Sequence, residues 1–198
     1  MAIRIERFRG AAVRPHLEAL AGLRIAVFRE WPYLYQGDLD YEAGYLAAYA
    51  KSAGSVFVLA FDGDQVVGAA TGIPMADETE AFLKPVRERG IAPERMFYFG
   101  ESVLLPAYRG QGIGNRFFDG REAHARELGG FRYTGFCAVV RELGDPRQPE
   151  DYRPLDAFWR KRGYAPVDGM VAELEWLETF HDAPGMHQLQ FWLREWQR

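Results

Sequence analysis

Residues 104–118, LLPAYRGQGIGNRFF, constrain the chain more than any other stretch. An apolar run stops at Pro106, Gly110, Gly112 and Gly114 follow, and an amphipathic pattern then begins. This is the signature of a strand that enters a glycine-rich turn and leaves as a helix. Such a turn suits an anion: the first amides of a helix carry partial positive charge, and glycine lets the backbone close on a ligand. The ligand-free alternative is a plain strand-to-helix turn. Two phosphate-binding designs are excluded by spacing. A P-loop requires Lys and Ser or Thr after its last glycine, where this chain has Asn115 and Arg116. The dinucleotide fingerprint requires a third glycine, but Phe117 stands there counting from Gly112 and Asn115 counting from Gly110. The spacing that fits is Arg-x-x-Gly-x-Gly, at Arg109, Gly112 and Gly114.

The same two kinds of pattern recur along the chain. Residues 3–8 (IRIERF) alternate apolar and charged, as a half-buried strand does. Residues 14–29 place Leu17, Leu20, Leu23, Ile25, Val27 and Phe28 mostly at helical spacing. Pro32 and Gly37 break regularity within EWPYLYQGD, and Asp38 or Asp40 caps a following helix through Tyr49. SVFVLAF and QVVGAATGI flank DGD and read as a hairpin. Residues 77–90 read as a helix or an irregular excursion, and FYFGESVLL (97–105) as one strand. Residues 112–128 read as a helix with Ile113, Phe117, Phe118 and Leu128 on one side and Arg116, Asp119, Arg121 and Glu122 elsewhere. FRYTGFCAVV is another strand, and LGDPRQPEDYRP is a loop. A short helix over 155–161 stops at Gly163, and VAELEW and MHQLQFWL close the chain as strands. The order predicts one mixed α/β (α+β) domain over 1–198, without the regular βαβ alternation of a doubly wound sheet.

Composition narrows the function classes. A net charge of −4 argues against a general nucleic-acid binder. Cys137, the single cysteine, excludes an internal disulfide and a cysteine metal cluster. His16, His124, His181 and His187 lack metal-ligand spacing, so no metal is expected. Charges recur every two or three residues in MAIRIERFRG, and no uncharged apolar run is long enough to span a bilayer. The expectation is a soluble, cytoplasmic protein with no nucleic-acid or membrane partner.

LLPAYRGQGIG resembles the most diagnostic segment of the GNAT superfamily of acyl-CoA-dependent N-acyltransferases, V-x-P-x-Y-R-G-x-G-x-G. The match falls on Pro106, Tyr108, Arg109, Gly110, Gln111, Gly112, Ile113 and Gly114. A second match lies downstream, where the family shows FY-x-x-x-G-F/Y and this chain has Phe158, Trp159, Gly163 and Tyr164. The resemblance implies a mixed, mostly antiparallel sheet flanked by helices and splayed between its two central strands. It implies acetyl-CoA as co-substrate and transfer of its acyl group to the primary amine of a small molecule or peptide. By motif position, the backbone of Ser102, Val103 and Leu104 would hold the pantetheine arm. Arg109 and the amides of Gly110, Gln111, Gly112, Ile113, Gly114 and Asn115 would hold the phosphates.

Attack by an amine that is mostly protonated near neutral pH calls for a general base. Glu101, in an otherwise apolar strand just before the cofactor residues, is the candidate; the alternative is a salt-bridged strand glutamate. Where the family has the Tyr that protonates the leaving thiolate, this chain has Trp159, which cannot act as an acid. Tyr164, Tyr152 or water is left for that role, and a non-catalytic acyl-CoA-binding domain stands as the alternative function. Cys137 reads as a small buried hydrophobe rather than a nucleophile. Trp31, Tyr33 and Tyr35, with Tyr41 and the acids Asp38, Asp40 and Glu42, are candidates for the acceptor pocket; the alternative is a hydrophobic plug under a loop. Arg141 and Glu142 are weaker pocket candidates, and the exposed aromatic C-terminal strand FWLREW is a candidate homodimer interface.

Overall fold

The computed structural model describes residues 3–196. Its strands are β1 (Arg4–Arg9), β2 (Val56–Asp62), β3 (Gln65–Pro74), β4 (Met96–Tyr98), β5 (Ser102–Leu104), β6 (Tyr133–Val139), β7 (Ala165–Trp176) and β8 (Gly185–Glu195). Its helices are α1 (Leu17–Phe28), α2 (Leu39–Lys51), α3 (Glu80–Glu88), α4 (Ile113–Leu128) and α5 (Asp156–Lys161). One eight-stranded sheet runs β1-β2-β3-β4-β6-β8-β7, with β5 also paired to β3. Every pairing is antiparallel except β4 with β6.

The run VFVLAFD of β2 is almost continuously apolar because both faces of the sheet are covered. Phe57, Leu59 and Phe61 join a core with Leu20 and Leu23 of α1 and Leu46 and Tyr49 of α2. Val56, Val58 and Ala60 join a second core with Ile113, Phe117 and Phe118 of α4. The expected hairpin turns at Gly63, and the expected cap of α2 is Asp38, whose carboxylate accepts the Tyr41 amide at 2.9 Å.

The stretch read as a single strand over 97–105 is broken. β4 pairs with β3 at Ile73–Tyr98 and in parallel with β6 at Tyr98–Gly135, and the Phe99 amide still reaches the Gly135 carbonyl at 2.8 Å. From Gly100 onward the chain follows β3 alone, pairing Ser102, Val103 and Leu104 with Ala70, Ala69 and Gly68. β6 meanwhile stays with β8 from Tyr133–Glu195 to Val139–Leu189. The two central strands therefore part after Phe99 and leave a wedge between β5 and β6.

A side chain read as lying off the apolar side of α4 holds this wedge open. Arg121 is 2% exposed; its Nη1 donates to the carbonyls of Thr71 at 3.3 Å and Glu101 at 3.0 Å, and its Nε to that of Phe117. Phe99 and Phe118 face its guanidinium at 4.3 and 4.8 Å. Burial lowers its pKa to about 10, which leaves it charged at neutral pH. Arg121 lies four residues after Phe117 and three after Phe118, so the helical period itself puts it on the apolar face. Glu122 is buried as well, whereas Leu128, expected inside, is 44% exposed at the helix end. The closing strands are longer than expected: β7 begins at Ala165, and its pairing with β8 shifts register between Pro166 and Val171, where Gly169 has a φ of +70°.

Candidate active site

The wedge and the glycine turn form one continuous surface. The Leu105 amide donates to Val67 and the Glu101 carbonyl accepts from Thr71. Alternation along an antiparallel pair then turns the peptide groups of Ser102 and Leu104 away from β3, into the wedge, and those of Val103 toward Ala69. Of the three residues expected to offer free backbone groups, Ser102 and Leu104 have that orientation; Val103 is fully buried and faces the sheet. Beyond them Gly110 and Gly112 have φ of +75° and +77°, the left-handed region where glycine alone is unstrained. That conformation folds the Asn115 and Arg116 amides back onto the Gly112 carbonyl. The amides of Gly110, Gln111, Gly112, Ile113 and Gly114 find no acceptor among the described residues. This is a row of open donors at a helix N-terminus, and it fits a pyrophosphate. Arg109 is turned elsewhere: its Nε donates to the Leu104 carbonyl at 3.2 Å and its Nη2 meets Glu30 at 2.8 Å. The Gln111 side chain closes the turn, its Nε2 donating to the Ala107 carbonyl at 3.1 Å.

Glu101 projects from the break in the strand toward α1 and α2, its side chain 6% exposed. Arg24 of α1 meets it at 2.7 Å and also pairs with Glu42 of α2, which is fully buried. Burial would lower the Arg24 pKa, but Glu101, Tyr45 and Glu42 hold it above the ordinary range. The Tyr45 hydroxyl donates to Glu101 Oε2 at 3.3 Å, and the Thr71 hydroxyl accepts the Glu101 amide at 3.2 Å. A Cβ at Gly100 would lie 2.6 Å from the Tyr49 hydroxyl and 2.7 Å from Thr71 Oγ1, so only glycine lets the break sit against these side chains. The glutamate is thus salt-bridged, the reading the sequence had set against a general base, and it lies at the break that opens the wedge.

The aromatic segment between α1 and α2 does not form a single cage. Tyr33 packs on Phe28 at 4.5 Å and Trp176 at 6.0 Å, while Trp31 meets Tyr152 edge-on at 6.2 Å. Tyr35 bridges to Glu178, and burial followed by Glu42 raises its phenol pKa. Tyr41 is 63% exposed, Asp38 is spent as a cap and Glu42 on Arg24. Arg141 organises the segment from below: it donates to the carbonyls of Pro32 and Tyr33, pairs with Glu178 and lies over Trp31.

A family model described as acetyltransferase (GNAT) matches residues 22–148, more than half of the sequence. The chain belongs to this family. Solved GNAT structures superpose over nearly their whole length. A ribosomal-protein-alanine N-acetyltransferase from Brucella melitensis is 17% identical with a TM-score of 0.60, covering 99% of this chain and 100% of its own. An acetyltransferase of the family from Staphylococcus aureus Mu50 is 14% identical with a TM-score of 0.61 over the same shares. The PaiA N-acetyltransferase of Thermoplasma acidophilum, solved with coenzyme A, is 13% identical with a TM-score of 0.58, again over 99% and 100%. At these identities the likeness is one of fold. No curated protein matches the sequence.

In this GNAT chain the downstream motif packs into the core. Trp159 lies 5.0 Å from both Phe136 and Trp192, and Phe158 lies against Phe118 and the start of α4 at Gly114. Tyr164 is 1% exposed beside Thr134 and Glu122, and burial raises its phenol pKa. Tyr152 is a half-buried phenol beside Trp31. Burial also pushes the Cys137 thiol well above its usual value, which disfavours a thiolate nucleophile. Sequence reasoning missed Arg24, Tyr45, Tyr49 and Arg121. The available signal was a charge at helical spacing within an apolar stripe: Leu20–Arg24–Phe28 in α1, Glu42–Leu46–Tyr49 in α2 and Phe117–Arg121–Ala125 in α4.

Proposed function

We propose that this GNAT protein transfers the acetyl group of acetyl-CoA to a primary amine of a small molecule or peptide by direct attack, with Glu101 as general base. One observation supports the reading: a buried carboxylate stands at the point where the wedge begins, and the wedge is lined beyond it by outward backbone groups and a turn with unused amides. Ser102 and Leu104 would hold the pantetheine arm and Gly110 to Gly114 the pyrophosphate. Bound there, acetyl-CoA supplies an activated thioester carbonyl.

Glu101 takes the proton of the incoming ammonium, and Arg24 and Tyr45 fix its carboxylate beside the break in the strand. The thiolate leaves without help from Trp159, because a thiol of pKa about 8.5 is an adequate leaving group in water. The region of Trp31, Tyr33, Tyr35 and Tyr152 borders the wedge from the β6 side and forms the acceptor wall.

The test uses free thiol release from acetyl-CoA with a panel of amines: peptides with free α-amines, lysine side chains and small di- and triamines. Glu101→Gln should lower turnover at least about 100-fold, the scale of a lost general base, while the CoA dissociation constant changes less than about twofold. Tight CoA binding with no thiol released for any amine would favour the acyl-CoA-binding alternative.

A further inference from the structure

Arg141 stands two residues past the end of β6, the strand that bounds the wedge. Its side chain is 12% exposed and turns back on the acceptor segment. Nε donates to the Pro32 carbonyl at 2.6 Å and Nη2 to that of Tyr33 at 3.0 Å, while Nη1 meets Glu178 Oε1 at 2.5 Å. The planar fork thus serves three partners at once, which a lysine ammonium on its flexible stem cannot match. Glu178, two residues past β7, is itself buried. Burial would raise its carboxyl, but hydrogen bonds from Arg141 and Arg147 hold it below its usual range, so it is ionised at neutral pH. Arg147 reaches its Oε2 at 2.5 Å, and His187 stands 3.6 Å from its Oε1.

The connection from β7 to β8 grips the same segment by its backbone. The Trp176 indole donates to the Tyr33 carbonyl at 3.1 Å, the Thr179 amide to the Leu34 carbonyl at 2.6 Å and the Gln36 amide to the Leu177 carbonyl at 2.8 Å. Amid these bonds Leu34 has a φ of +52°, a left-handed conformation that strains leucine. Such strain persists only where the surroundings over-determine it. The carbonyls of residues 32, 33 and 34 are all taken by donors from beyond β6 and β7, so the shape of the segment is imposed from outside it.

We propose that Arg141, locked by Glu178, is a positioning residue for the acceptor amine: it fixes the Trp31–Tyr35 wall against the β6 side of the wedge and so decides which amines present their nitrogen to the thioester. It acts through the wall rather than on the reacting atoms. A wall displaced by about 1 Å is enough to misplace a nucleophile and cost up to about 100-fold in rate. The role rests on the proposed acyltransferase activity and on the reading of Trp31, Tyr33, Tyr35 and Tyr152 as the acceptor wall.

Arg141→Lys tests it, since lysine keeps a cation for Glu178 but gives up the fork. Melting temperature and CoA affinity are measured first, then thiol release across the amine panel. The amine KM should rise about tenfold with kcat within about threefold, and the preference among amines should flatten. The CoA dissociation constant and the acetyl-CoA KM should stay within about twofold, because Ser102, Leu104 and the glycine turn are untouched. Trp176→Phe keeps a ring against His187 and removes only the indole donor to Tyr33. It should raise the amine KM about threefold, and it carries the test alone where the lysine variant does not fold. An amine KM and panel order unchanged in the folded variants would overturn the positioning role while leaving the acyltransferase standing. Amine and acetyl-CoA KM rising together, with a lower melting temperature, would overturn it as well, in favour of a purely structural role. No thiol release by the wild type with any amine would overturn the activity and the positioning role with it.

Discussion

Two guanidinium groups are enclosed beneath the wedge, and they act on opposite sides of the same break in the strand. Arg121 binds its carbonyls from the α4 face, and Arg24 binds the Glu101 carboxylate from the α1 face. Removing either leaves buried polar groups unpaired, which costs more than the lost attraction itself. Arg24→Met strands two carboxylates, Glu42 and Glu101, with the Glu42 Oε1 atom already lacking a partner. It should destabilise the protein by about 3–5 kcal/mol, the range for a broken buried pair, as read by denaturant unfolding. Unfolding within about 1 kcal/mol of wild type would show that water or a local shift replaces the guanidinium. Arg24 escaped the sequence reading, and Glu42 was read as an acid of the acceptor pocket, because residues were sorted by type, whereas burial follows position on the helix.

Within single elements, the strand–turn–helix at 102–128 was the most legible part of the chain. Its order, the opening of α4 and the open amides of the turn all follow from proline, glycine and helical spacing. The break at Phe99–Glu101 did not follow, because FYFGESVLL has the composition of an unbroken strand. What breaks it lies elsewhere in sequence: Thr71, Tyr49 and Arg121 compete for its backbone and for the space at Gly100. The glycines of the turn also differ from one another. Gly112 has a positive φ with open space where a Cβ would go, so Gly112→Ala carries strain but no clash. Gly114 is helical, and a Cβ there would sit 3.6 Å from Phe158, an ordinary contact. Gly112→Ala should therefore cost about 1–2 kcal/mol of stability, and Gly114→Ala less than about 0.5 kcal/mol. Calorimetric melting of the two variants side by side decides it; equal losses would mean that the turn conformation is not what selects Gly112.

For the molecule as a whole, the wedge exists because its two walls are held by different partners. β5 is fixed to β3 and backed by α1 and α2, whereas β6 is fixed to β8, with Trp192 stacked parallel to Phe136 at 6.3 Å. The C-terminal elements that carry the second wall were read from sequence as two short closing strands, and nothing local in them reveals what ties them to α4. That tie is Glu122. Buried at 4% exposure, it meets Arg162 beyond α5 at 3.0 Å, Arg194 of β8 at 3.2 Å and Arg126 at 3.4 Å, with the Tyr164 hydroxyl at 3.3 Å. Three positive charges gathered around one carboxylate repel one another once it is gone, and Arg162 is itself largely enclosed, 17% exposed. Glu122→Ala should cost about 3 kcal/mol and lower the melting temperature by about 6–12 °C for a chain of this size. Because the damage is to the joint between α4 and the C-terminal strands, proteolysis under native conditions should cut first in the 140–155 loop, ahead of any cut in β1–β3. An unchanged melting temperature, or first cleavage in the N-terminal half, would show that β6 and β8 hold their wall without this ion cluster.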